Sequence, residues 1–186
     1  QQFRFSILSR NSGNQSSPNG VLENTALSNH EVTGSHPYFG KAHRSTFSYE
    51  QLKMNYGIPG FYKGHIDGVD IDMNKKSQKY NYHKDILFLD FQTLDIDQRF
   101  ISYMHTEYEK GNLDPSVRMD QNIFSLQSKL TGNHLTVGSL FQYRDFQAGG
   151  FYWTPDAEEI SLAAFGLLEK KINDLTLQIS SRVEYL

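Results

Sequence analysis

The chain of 186 residues has net charge −3, 21% charged and 38% hydrophobic residues, and a mean hydropathy of −0.57. It is long enough for one domain but has no run near the roughly 18 apolar residues of a membrane helix, which excludes a helical membrane protein. No basic block supports nucleic-acid binding, and the absence of cysteine removes disulfides, thiolate metal sites and cysteine nucleophiles.

Aromatic residues are abundant, 13 Phe and 11 Tyr beside one Trp, which favours strands and their half-buried surfaces. Gln1 to Arg10 lacks the basic start and apolar core of a signal peptide. Within it, Phe3, Phe5 and Ile7 alternate with Arg4 and Ser6, which predicts a strand with two unlike faces. Asn11 to Gly20 (NSGNQSSPNG) predicts an exposed loop, and the weakly patterned Leu22 to Thr33 predicts a loop or short strand. Arg44 to Met54 alternates again, and the Gly- and Pro-rich Asn55 to Gly68 predicts a long connection.

Val69, Ile71 and Met73 alternate with Asp70, Asp72 and Asn74, as in a strand wet on one side, with the acidic side expected towards a polar interior. The short apolar run Ile86 to Thr93 predicts a strand, followed by another over Gln98 to Glu109 and a turn at Lys110 to Pro115. The strongest hairpin signal is Val117 to Leu130 and Leu135 to Phe146 around Thr131-Gly132-Asn133-His134. Gln147 to Pro155 predicts a Gly-and-aromatic loop. Ala157 to Lys171 contains helix formers but also satisfies period 2, and it predicts a strand that turns at Asn173-Asp174 into Leu175 to Tyr185.

The sum is an all-β antiparallel protein of about eight to ten strands, many of about 10 to 14 residues against a usual mode of about 5 to 6. Strands of about 9 to 11 residues are what crossing a bilayer demands, and short turns alternating with long loops suit a transmembrane β-barrel. A soluble β-sandwich that binds carbohydrate or protein shows the same alternation with its apolar face turned inward, and it stays open as the alternative.

Gly20-Val21-Leu22-Glu23-Asn24-Thr25, Asn55-Tyr56-Gly57-Ile58-Pro59-Gly60 and Val69-Asp70-Ile71-Asp72-Met73 together resemble the barrel of TonB-dependent receptors, in a subgroup similar to zinc and other metal-uptake receptors. YMHTEYE at Tyr103 to Glu109, LFQYRDF at Leu140 to Phe146 and ISSRVEY at Ile179 to Tyr185 follow in the same order. The resemblance implies that residues 1–186 form a middle part of a β-barrel of about 22 strands whose N-terminal plug lies outside these residues. It implies an outer-membrane location, lipid around the barrel, energy coupling to the TonB complex through the plug, and uptake of a small ligand such as a metal ion or metal chelate.

Seven histidines are scattered without the spacing of a preformed zinc site. His65, with Asp67 and Tyr62, lies in the loop where metal-uptake relatives look His-rich; these three are the candidate ligand-binding residues, although one His and one Asp are far short of a cluster. Asp70 and Asp72 share a strand face and read as solvated charges, and Arg144 and Asp145, which as sequence neighbours point to opposite faces, read as solvated edge charges. No nucleophile elbow, phosphate loop or dinucleotide fingerprint is present, so no enzyme activity and no cofactor is expected.

Overall fold

The computed structural model describes residues 2–61, 65–150 and 155–186. Nine strands form one antiparallel sheet in strict chain order: β1 (Arg4–Ser12), β4 (Leu27–Phe39), β5 (His43–Ile58), β6 (Val69–Phe88), β7 (Phe91–Glu109), β8 (Val117–Gly132), β9 (Leu135–Gly150), β10 (Ala157–Ile172) and β11 (Leu175–Tyr185). A small hairpin of β2 (Gln15–Ser17) and β3 (Gly20–Leu22) rides on the connection between β1 and β4. The sheet is open among the described residues, with β1 and β11 as its edges.

The connections separate by length. Leu89-Asp90, Asn133-His134 and Asn173-Asp174 are two-residue turns at one end, joined there by the 40–42 link between β4 and β5. Residues 13–26, 59–68, 110–116 and 151–156 connect strands at the opposite end. This is the alternation of short and long connections expected from the sequence, with each kind confined to one end of the sheet.

Five expectations need correction. The loop expected over Gln147 to Pro155 begins only after β9 ends at Gly150, and Asn11 to Gly20 holds the end of β1, all of β2 and the start of β3. Leu22 to Thr33 is no loop or short strand: from Leu27 it belongs to the 13-residue β4. Its alternation is faint because Asn29, Glu31 and Thr33 on one face meet Ser28 and His30 on the other, both polar. Ile86 to Thr93 is not one strand but the tip of the β6–β7 hairpin, where Leu89 turns the chain at a φ of 53°. A mostly apolar run, interrupted by Asp90, hid a turn made without Gly or Asn. The connection after β5 is also shorter than Asn55 to Gly68, since β5 pairs with β6 as far as Ile58. Ala157 to Lys171 is a strand, paired with β9 on one side and β11 on the other, which settles its helix-or-strand ambiguity.

The sheet is a single layer. Only Val69, Ile71 and Ala163 are buried hydrophobic residues among those described, while Phe5, Leu162, Ile179 and Val183 are all more than half exposed. No second sheet packs face to face against the first among the described residues.

Candidate functional site

Directly opposed residues in an antiparallel sheet share a face, so the register assigns every side chain to one side or the other. One transverse row runs Ser6, Thr33, Glu50, Ser77, then Ile101, Ile123, Arg144 and Glu159. A hollow of about 310 Å³ opens on this face among Arg4, Ser35, Ser48, Glu50, Lys79 and Arg99, and a second of about 280 Å³ among Lys79, Asp97, Arg99, Ser125 and Gln127. Hollows of a bent sheet form on its inner curve, so this polar face is the concave one. Its charges are cross-linked: Lys75 to Glu50 at 3.4 Å, His83 to Asp95 at 2.7 Å, Lys129 to Asp95 at 3.5 Å and Arg144 to Glu159 at 2.6 Å. Arg144 thus turns away from Asp145, as expected for sequence neighbours, but it is an ion-pair partner rather than a solvated edge charge.

The convex face changes character from one row to the next, two residues along each strand. The row Phe5, Gly34, Tyr49, Gln78, Phe100, Phe124, Tyr143, Ile160 is largely aromatic. The next row on the same face towards the long loops reads Ile7, Val32, Gln51, Lys76, Ser102, Asn122, Asp145, Glu158, polar from β5 to β10. Towards the short turns the face is mainly apolar from β7 to β11, with Leu94, Leu130, Leu135, Val137, Leu168 and Leu177, and is interrupted by Gln98, Ser128 and Ser139. Phe124 and Phe141 stand with ring centroids 6.1 Å apart within this band. Beyond the boundary, on the long-loop side, Arg118 bonds Asp120 at 2.7 Å, and that hydrogen bond and charge raise the guanidinium above its ordinary range.

Asp70 and Asp72 lie on this convex face, in register with Tyr80 and Tyr82 along β6, not towards the polar concave side. The apolar partners Val69 and Ile71, each 3% exposed, take the concave face instead. The sequence pattern showed two unlike faces correctly, but which one is inward reverses along β6, so the upper half could not be read from the lower. Asp70 meets Lys110 at 3.2 Å and Asp72 bonds Asn55, so neither forms a working carboxylate pair.

The three sequence segments that carry the family resemblance meet at the long-loop end. Asn24, left-handed at φ 57°, donates through Nδ2 to the carbonyls of Ile58 (2.9 Å) and Val69 (3.0 Å) and accepts from Lys110 Nζ at 2.9 Å. Gly68, at φ 93°, is pressed between Ile58 and Asn24, where a Cβ would lie 2.5 Å from the Ile58 carbonyl oxygen. One side chain thereby closes the mouth of the 59–68 loop against the first long connection.

Of the candidate ligand-binding residues, His65 lies in that loop with Nδ1 against Glu109 Oε1, and its carbonyl accepts from the backbone of Phe61 and Gly68, both at 3.1 Å. Asp67 is exposed in the adjoining turn. Tyr62 lies outside the described residues, as do the aromatic residues Phe151, Tyr152 and Trp153. The loop does not bring His65 and Asp67 together with a third ligand, and among the described residues no group of three or more His, Asp or Glu could hold a metal ion. Sequence reading missed the string Tyr103, His105, Glu107 on the concave face of β7, where His105 Nδ1 is 3.3 Å from Tyr103 Oη and Nε2 is 2.9 Å from Glu107 Oε1. Its signal was present as YMHTEYE, three ligand-type residues at period 2.

No family model matches the chain, and no curated protein sequence matches it.

Proposed function

We propose that this chain is part of the wall of a TonB-dependent outer-membrane β-barrel that takes up a scarce small ligand, with a metal ion or metal chelate as the leading candidate. One observation carries the reading: an exposed apolar band on the convex face, edged by an aromatic row and succeeded one row later by Lys76, Asp145 and Glu158. Apolar side chains turned outward with polar ones inward is the reverse of a water-soluble sheet, and an aromatic girdle at the edge of an apolar band is how a barrel meets the headgroup zone. Leu135 to Tyr143 runs about 27 Å along β9 at about 3.4 Å per residue, which at a barrel's strand tilt of about 40° spans about 21 Å of the roughly 25 Å height of such a band.

Further support comes from the concave side. Its wall is polar and ion-paired, as the lumen side of a barrel's strands would be. Long connections gathered at one end and tight turns at the other suit ligand-catching loops on the outer surface and periplasmic turns below. Binding by the loops is the part of uptake that residues of this chain would perform; passage would need the plug.

Extraction tests the reading. The full chain, expressed with an export signal, should fractionate with outer membranes, resist carbonate and require detergent to stay monodisperse. Recovery as a monodisperse species in aqueous buffer would favour the sandwich that binds carbohydrate or protein, whose apolar face must be covered.

A further inference from the structure

The register places three of the chain's four methionines and a histidine side by side on one face. Met54 opposes Met73, Met73 opposes His105, and His105 opposes Met119, so a single transverse row crosses β5, β6, β7 and β8 on the concave side. Directly opposed residues on one face have Cβ atoms about 4.5–5.5 Å apart, which leaves Met73 and Met119 flanking the imidazole from both sides. All three methionines are half-buried, and the His105 side chain is only 12% exposed.

We propose that this row is a binding site for a soft monovalent d10 cation, Cu(I) or its analogue Ag(I), held by His105 Nδ1 and the Met73 and Met119 sulfurs, with Met54 as an adjoining thioether. Thioether and imidazole donors select such ions, whereas hard divalent cations prefer carboxylate, carbonyl and water. In a chain without cysteine, thioethers are the soft ligands available. The imidazole is already prepared. Nε2–H donates to the Glu107 carboxylate at 2.9 Å, the outer-shell arrangement that fixes the tautomer of a metal-binding histidine and leaves Nδ1 with its lone pair. That lone pair faces only the long 3.3 Å contact with the Tyr103 hydroxyl, which an ion displaces at little cost. The row lies four residues along β7 from Glu109 of the His65–Glu109 pair and towards the long-loop end, where an arriving ligand would first meet the wall.

Naming this ion as cargo rests on the uptake reading; the site itself rests on the row. The full chain in detergent is titrated with Ag(I), and with Cu(I) under a reductant against a Cu(I)-specific chelator, with Zn(II) in parallel and X-ray absorption on the loaded protein. One ion per chain is expected, with sulfur and nitrogen neighbours and no comparable Zn(II) binding. The double substitution Met73→Leu and Met119→Leu, close to each side chain in volume, should abolish binding with an unchanged strand spectrum, and Glu107→Gln should weaken it by about 10-fold to 100-fold. Equal Ag(I) affinity in the double variant, oxygen-only neighbours, or Zn(II) bound as tightly would overturn the site. A chain that binds Ag(I) yet needs no detergent would keep the site and remove the uptake reading, while detergent dependence without Ag(I) binding would do the opposite.

Discussion

Asn24 shows how much a single amide can organise. Its two donated hydrogen bonds reach carbonyls 34 and 45 positions along the chain, and its acceptor holds Lys110, 86 positions away. Removing a partner from such groups costs about 1–3 kcal/mol when they stay shielded from water. Asn24→Ala should therefore lower stability by about that amount and open the 59–68 loop to protease, measured by denaturant unfolding and by the rate of cleavage there. Leu89 presents the opposite case. A left-handed non-glycine residue carries about 1–2 kcal/mol of strain, and its side chain is 80% exposed, so it recovers little by packing. Leu89→Gly should stabilise the β6–β7 hairpin by up to about 1 kcal/mol; an unchanged unfolding midpoint would show that the turn stores no strain. Neither role was legible in the sequence. The segment around Asn24 stood out by resemblance, but its partners are distant in the chain, and a Leu at a left-handed turn has no compositional signature.

At the scale of elements, what was readable depended on contrast between the two faces. β1, β9 and β11 alternate strongly and were placed within a few residues, while β4, polar on both faces, was missed and the apolar β6–β7 tip was taken for a strand. Alternation also could not show that inward and outward exchange along β6, because that depends on where the apolar band ends on neighbouring strands. The β9–β10 pair contains a contact that no one-dimensional pattern reveals. Phe165 lies opposite Gly138, where a Cβ would come within 2.4 Å of the ring and 2.6 Å of the Ser128 carbonyl oxygen. The aromatic ring covers the bare backbone, a pairing that pins register. Gly138→Val should cost about 1–3 kcal/mol through overpacking. Because the Ser128 contact is with backbone, adding Phe165→Ala should restore only part of that loss, as read from a double-mutant cycle.

For the whole molecule, the decisive quantity is the solvent of the convex face. A charge on an exposed surface facing water shifts stability by no more than about 0.5 kcal/mol, whereas Arg at the midplane of a barrel's lipid face costs about 2–4 kcal/mol. Phe141→Arg, in the middle of the apolar band, should thus impair assembly in the outer membrane and lower the temperature at which the band shifts on unheated gels, and Asp145→Arg, beyond the aromatic row, should leave both unchanged. Equal behaviour of the two variants would place the face in water. The all-β antiparallel architecture was open to sequence reading because period 2 is local. Assembly of the candidate metal row was not, because it depends on the registers of four strands, and one slipped residue would send each methionine to the other side.

Strict sequential order has a consequence for how the chain acquires its structure. Every pair of neighbouring strands is linked by at most the 13–26 connection, so each closure confines a short segment and its entropic cost grows only logarithmically with length. Pairing can begin at any tight turn and spread outward hairpin by hairpin, with no strand waiting for a remote partner. The outer borders of β1 and β11 stand apart from this scheme, because no strand among the described residues pairs with them.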